Sequence, residues 1–166
     1  MTDPSTAIPP VTVTQRIAAP ASTIFALLVD PTRHLELDGS AMLQGALTTE
    51  KVGAVGDEFR MAMRNPDMGD YEMTSRVVAF EPDRRIHWAP RMTASARPEI
   101  LAGSIREPGY VWGWDLRPVD ESVTEVTESF ECSRTPASLR EAIQGGEIWR
   151  AAMVASLQKL ARLCAS

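Results

Sequence analysis

The stretch GYVWGWDLRP, residues 109–118, has the clearest strand pattern in the chain. Tyr110, Trp112 and Trp114 fall on every second residue, and successive side chains of a strand point to opposite faces of its sheet. One face of this strand therefore carries three large aromatic rings, while the other carries a glycine and Asp115. We expect the aromatic face to lie against a packed core, a partner protein or the wall of a cavity.

Further strand-like segments stand on both sides of this one and are separated mostly by short turns. Alternating or β-rich patterns occur at 11–19, 42–49, 56–65, 70–81, 85–90 and 123–132. Strands joined by short turns pair in an antiparallel way. Between 90 and 109 the pattern stops, so residues 92–107 are predicted to form a long connection, of a kind that is often functional or mobile.

Helical patterns lie near the start of the chain and at its end. Residues 20–34 carry an apolar stripe at helical spacing that Pro31 ends, and a short second helical turn follows around 32–37. From Thr135 onward the chain is amphipathic, with a break at two consecutive glycines, 145 and 146. The order of elements predicts an α+β fold. We expect a curved antiparallel β-sheet of about seven strands wrapped around a long C-terminal helix, with two short helices after the first strand.

The composition of the whole chain limits its partners. A length of 166 residues suggests a single domain, which we place at 11–166 after a polar, proline-rich tail at 1–10 predicted to be disordered. A formal net charge of −5 argues against nucleic acid and against anionic membrane surfaces. No apolar run approaches the roughly 20 residues that span a bilayer, and no secretory signal is visible, so we expect a cytoplasmic protein without membrane insertion.

Metal and cofactor chemistry has little support in the sequence. Cys132 and Cys164 make neither a disulfide framework nor a zinc motif, and the two histidines lack metal-ligand spacing. A glycine-rich phosphate loop and a nucleophile elbow are also missing from the sequence. We therefore predict no metal and no cofactor.

Several segments together resemble a known superfamily. They are RIAAPASTIFALLVDPTRH (16–34), GAVGDEFRM (53–61), RRIHWAP (84–90), WGWDLRPV (112–119), TEVTESFE (124–131) and ASLQKLARL (155–163). The chain resembles the START-like superfamily, also called SRPBCC, with the helix-grip fold, and more narrowly its bacterial polyketide cyclase/dehydrase and lipid-transport type members. The resemblance covers roughly residues 11–163. It implies a cavity between the sheet and the C-terminal helix that holds lipids, polyketides, sterols or other apolar molecules.

The resemblance gives the aromatic face of residues 109–118 a cavity to line. Methionines and aromatic residues from neighbouring strands and from the helix would join it, since ligand sites are concave and mostly apolar. The predicted ligand-binding residues are Met63, Tyr71, Met73, Trp88, Tyr110, Trp112, Trp114, Phe130, Trp149 and Met153. The alternative for each of them is simple packing in a core.

Three residues are candidates for proton transfer. Glu128 shares a strand face with Val126 and Phe130, and a carboxyl group in an apolar cavity has a raised pKa and can act as an acid or a base. Its alternatives are a position at the rim, or an ion pair with a nearby arginine such as Arg76 or Arg60. His34 and Asp38 follow the first helix and are predicted to form an acid/base pair at the cavity entrance. The alternative for His34 is a capping or loop role.

These expectations support three hypotheses about function. The favoured one is a protein, monomeric or homodimeric, that binds a small hydrophobic molecule, either a lipid or a polyketide-like compound. The second is an enzyme, a polyketide cyclase or dehydratase that uses Glu128, His34 and Asp38. The third is a protein-interaction module without a ligand, and only the resemblance suggests it.

Overall fold

A seven-stranded antiparallel sheet forms the frame of the protein in a computed structural model that describes residues 8–103 and 106–165. The strands follow the order β1-β7-β6-β5-β4-β3-β2 across the sheet. Their bounds are β1 (Val11–Ile17), β2 (Leu43–Ala46), β3 (Glu58–Asn65), β4 (Gly69–Glu81), β5 (Arg85–Ser95), β6 (Val111–Pro118) and β7 (Thr124–Glu131). The first strand thus pairs with the last.

The helices cover the inner face of this sheet. They are α1 (Ala21–Leu28), α2 (His34–Leu37), α3 (Ala137–Ala142) and α4 (Arg150–Ala165), and 3-10 turns lie at 31–33, 98–102 and 144–149. The expected α+β, helix-grip architecture is confirmed, with a long C-terminal helix and two short helices after the first strand.

The main core lies where α4 and α1 meet the sheet. Leu157 and Leu160 of α4 are completely buried, in one cluster with Ile24 of α1, Ile86 of β5 and Val126 of β7. Burying each such side chain contributes roughly 1.5–3 kcal/mol to folding. Because this cluster occupies only part of the space under the sheet, the remaining inner face is left to line a cavity.

A glycine pair positions the start of α4. Gly145 and Gly146 have φ angles of 65° and 96°, in the left-handed region that other residues rarely adopt. At Gly146 a Cβ atom would stand 2.3 Å from the ring of Phe130 on β7, so only glycine permits this approach. The break expected at these two glycines is therefore a tight contact between the helix start and the sheet.

The predicted long connection is shorter than expected. Strand β5 continues to Ser95 instead of ending near residue 90, and the 3-10 turn at 98–102 takes up part of what remains. The reason is that β4 is 13 residues long, so Tyr71, near its start, offers a pairing partner to Ser95. Of the tail predicted at 1–10, residues 1–7 lie outside the described residues, and its disorder stays a prediction.

Candidate functional site

A cavity of about 440 Å³ lies between the inner face of the sheet and helix α4. That volume is within the range of small-molecule sites, roughly 300–1,000 Å³. Strands β2 to β7 supply the sheet side of its wall, and residues of the four helices and of the segments between these elements supply the rest. Apolar side chains make up most of this lining.

Nine of the ten predicted ligand-binding side chains line this cavity. Tyr110 lies just before β6, and Trp112 and Trp114 follow it inward on that strand, as the two-residue period predicts. On the opposite face of β6 a Cβ atom at Gly113 would collide with His87, which bonds to Asp115 through Nε2 at 2.8 Å. The other six are Met63, Tyr71, Met73, Trp88, Trp149 and Met153.

Phe130 is the exception, because it belongs to the core and is absent from the cavity lining. Its side chain is 0% exposed, with its ring packed against Tyr110 at 4.9 Å and against Trp112 at 4.6 Å between centroids. Gly146 closes over it from the other side. The prediction that it lines the cavity was wrong because the start of α4 covers this end of β7. Phe130 supports the two aromatic rings that do face the cavity.

Methionine dominates the lining more than the sequence analysis anticipated. The chain has eight methionines, and seven of them line the cavity: Met42, Met61, Met63, Met68, Met73, Met92 and Met153. Alternation along β3 and β5 could have identified Met61 and Met92. Met42 and Met68 lie just outside strands, so only the folded chain shows where they point. Thioether side chains are flexible and polarisable, which lets such a wall adapt to ligands of different shapes.

Glu128 places an unpartnered carboxyl group in this apolar wall. It lies on β7 directly opposite Trp114 of β6, is only 6% exposed, and its buried Oε2 atom lacks a hydrogen-bond partner. Burial, followed by repulsion from the Asp38 carboxylate, raises the pKa of Glu128 to about 8. Arg60, one arginine that could have neutralised it, pairs with Glu72 at 2.7 Å. At neutral pH the Glu128 carboxyl is therefore mostly protonated and can donate a hydrogen bond.

His34 and Asp38 both border the cavity, but the expected pair is replaced by other contacts. His34 is buried, its Nε2–H donates to the Leu28 carbonyl at 2.8 Å, and burial lowers its pKa. Asp38 accepts hydrogen bonds from Ser40, at 3.0 Å from the backbone and 2.7 Å from the hydroxyl, and from the Leu43 amide at 3.2 Å. The Asp38 carboxylate thus stabilises the turn after α2, and the His34 side chain stabilises the end of α1.

The His34 ring is also part of an aromatic group beside the cavity. It stacks on Trp88 with 5.4 Å between ring centroids, and its edge meets Phe59 at 5.5 Å. These contacts, together with the hydrogen bond to Leu28, hold a neutral imidazole in the wall. His34 therefore packs in the cavity wall next to Trp88.

A second orphaned polar atom lies on the helical side. The buried indole Nε1–H of Trp149 lacks an acceptor, and the ring meets Trp112 at 6.4 Å between centroids. Tyrosine hydroxyls add two more potential donors, since Tyr71 and Tyr110 line the same space. Among the residues that the structure describes, no lysine or arginine lines the cavity.

Metal-binding clusters and membrane-spanning helices are both absent from the described part of the chain. Within residues 8–103 and 106–165, no three of the His, Cys, Asp and Glu side chains come together as a metal-binding group, and both cysteines are free thiols. No helix in that part of the chain has both the length and the apolar character needed to cross a bilayer.

Comparison with known proteins identifies relatives of this arrangement. The family model described as "Polyketide cyclase / dehydrase and lipid transport" matches residues 9–165. The uncharacterized protein Rv0088 of Mycobacterium tuberculosis is 31% identical over 115 residues, which are 69% of this chain and 44% of that protein. The chain thus matches less than half the length of this curated relative.

Solved structures share the fold at low sequence identity. Protein CV1439 from Chromobacterium violaceum has a TM-score of 0.62 at 18% identity, covering 94% of this chain and 97% of its own. DynU16, described as a putative protein in the dynemicin biosynthetic locus, has a TM-score of 0.55 at 20% identity, covering 92% of this chain and 46% of its own. At such identities the likeness establishes the fold.

Proposed function

Because the chain belongs to the polyketide cyclase/dehydrase and lipid transport family, we propose that it binds a small apolar molecule, lipid-like or polyketide-like, between the sheet and α4. The observation that carries this proposal is the cavity of about 440 Å³ walled by methionine and aromatic side chains. A protein interior is normally packed without spaces of this size. Keeping so much apolar surface open costs stability unless a ligand covers it.

The orphaned polar atoms support the same proposal. A buried donor or acceptor without a partner costs roughly 1–3 kcal/mol, and both Glu128 Oε2 and Trp149 Nε1 are in this condition. Both residues line the cavity. A ligand with a few polar atoms could satisfy them, and its apolar body could cover the methionine and aromatic walls.

The first test is native mass spectrometry of the protein purified from its own host, followed by denaturing extraction of any bound molecule. A stoichiometric apolar compound would support the proposal and identify the substrate class. A protein that is empty after this purification, and whose tryptophan fluorescence and melting temperature do not respond to a panel of lipids and aromatic polyketides, would count against it.

Matched variants on β4 locate the site. Ser75 is buried and lines the cavity, while Arg76, the next residue, is exposed on the opposite face of the sheet. Ser75→Phe should fill the cavity and abolish binding of the extracted compound, and Arg76→Phe should bind it as the wild type does. Equal binding by both variants, each first checked for folding by circular dichroism, would place the ligand elsewhere.

A cyclase or dehydratase is the second candidate, and the carboxyl group of Glu128 favours it. A pKa of about 8 lets a carboxyl group give or take a proton near neutral pH. The place of DynU16 in a biosynthetic locus is in keeping with such chemistry. His34 and Asp38, bonded elsewhere, would shape the site and its field without forming a proton relay. Full turnover of the extracted compound by Glu128→Gln would exclude Glu128 as the acid or base.

A further inference from the structure

The titratable groups along the cavity wall are carboxyl groups and one histidine, and they restrict the charge that a ligand can carry. The described lining holds the acidic residues Asp38, Asp67 and Glu128, and His34, whose pKa burial lowers. Lysine and arginine are missing from the described lining residues. An anionic head group placed inside would find no lysine or arginine among the described lining residues and would lie close to carboxyl groups. Lys159 lies outside that lining, where its ammonium donates to the Asp38 backbone carbonyl at 2.8 Å.

Two residues of the cavity lining, Glu128 and Trp149, can donate hydrogen bonds and lack partners for a buried polar atom. Glu128 in its protonated form carries one O–H group, and its Oε2 is buried and without a partner. The Nε1–H group of Trp149 can only donate. A ligand oxygen with free lone pairs, such as that of a ketone, can accept from either group.

From this arrangement we propose that the cavity selects uncharged apolar molecules bearing a ketone-type acceptor oxygen, which receives a hydrogen bond from the Glu128 carboxyl, and that it discriminates against free carboxylates such as fatty acids. This inference rests on the proposed function and narrows it. It separates two ligand types that share an apolar body and differ only in the head group.

Exclusion of carboxylates follows from desolvation. A carboxylate that leaves water for an apolar cavity needs a cation or several donors to compensate for its lost hydration. Here the Asp38 carboxylate, which already disfavours ionisation of Glu128, lines the same cavity. A ketone loses much less hydration and gains the Glu128 hydrogen bond.

The test compares two probes with the same twelve-carbon chain, 2-dodecanone and dodecanoate, by isothermal titration calorimetry at pH 7. We expect the ketone to bind about tenfold more tightly or better, the discrimination that one well-placed hydrogen bond can supply. Equal affinities, or tighter binding of dodecanoate, would overturn the inference and leave the proposed function intact. Failure of both probes to bind would count against both.

Variants of Glu128 test the assigned donor. Glu128→Gln keeps a donor in the same place and should keep ketone affinity within a few fold, whereas Glu128→Leu should lower it by about tenfold. Glu125→Leu, on the outer face of the same strand and ion-paired with Arg117 at 3.0 Å, is the matched control and should bind like the wild type. Unchanged ketone affinity in Glu128→Leu would overturn the role of this carboxyl, and a melting curve on each variant separates lost binding from lost folding.

Discussion

Replacing Glu128 with glutamine should change how the stability of the protein depends on pH. The carboxyl is buried in an apolar wall, and its pKa rises from 4.5 to about 8, mainly because burial disfavours its charged form. Glutamine has nearly the same shape and never ionises. The two proteins should therefore be similar in stability in mild acid and should diverge as the pH rises.

The sign and size of this divergence follow from proton linkage. In the folded state Glu128 holds its proton up to about pH 8, whereas in the unfolded state it loses it near 4.5. The folded state thus binds more protons in this window, so the stability contributed by the protonated group is complete below 4.5 and is lost as pH rises through 8. The full pKa shift corresponds to a loss of roughly 5 kcal/mol in the free energy of unfolding, and roughly 3 kcal/mol of this loss occurs between pH 5.5 and 9.

Urea denaturation of both proteins across pH 5.5 to 9 measures the effect. The free energy of unfolding of Glu128→Gln, minus that of the wild type, should grow by roughly 3 kcal/mol over this range. His34, whose lowered pKa acts in the opposite direction, is present in both proteins and cancels in the difference. Glu125→Gln, which removes a carboxyl from the outer face of β7, is the control. A difference that stays flat, or a carboxyl titration midpoint near 4.5 for Glu128 by NMR, would refute the reasoning.

Three other predictions concern the packing around the cavity. Gly146→Ala should lower the free energy of unfolding by about 3 kcal/mol, because the added Cβ would press on Phe130 at a position with a positive φ. Gly145→Ala has open space around its Cβ and should lower it by only about 1 kcal/mol. Equal losses of the two variants in urea denaturation would contradict the contact between Gly146 and Phe130. Phe130→Ala should cost about 3–5 kcal/mol in the same assay, as a core residue does, and a loss below 1 kcal/mol would contradict its burial. Peroxide treatment should weaken binding of the extracted compound, because the cavity methionines become polar sulfoxides. A saturating amount of that compound should protect these methionines from oxidation, which peptide mass spectrometry can check. Oxidation that leaves the affinity unchanged would argue against a methionine-walled site.

Local patterns were sufficient for most of the fold. Two-residue alternation identified the strands and placed Tyr110, Trp112 and Trp114 on one face, since this period is a property of the extended backbone itself. The family resemblance then predicted that this face points inward. The same alternation placed Glu128 on one face of its strand with Val126 and Phe130. Pro31 and the glycine pair marked where helices end, because each restricts or frees a single φ angle.

Contacts between distant segments decided the rest. The sequence by itself determined which side chains of a strand share a face, because successive side chains of an extended backbone point to opposite sides. Tertiary structure alone decided which inward residues a helix covers and which stay open: Gly146 covers Phe130, while Met42 and Met68 reach the cavity from outside the strands. Tertiary structure also decided that the Asp38 carboxylate accepts hydrogen bonds from a turn instead of pairing with His34. The reason is that an aspartate accepts from the nearest free backbone amides once the chain around it has folded.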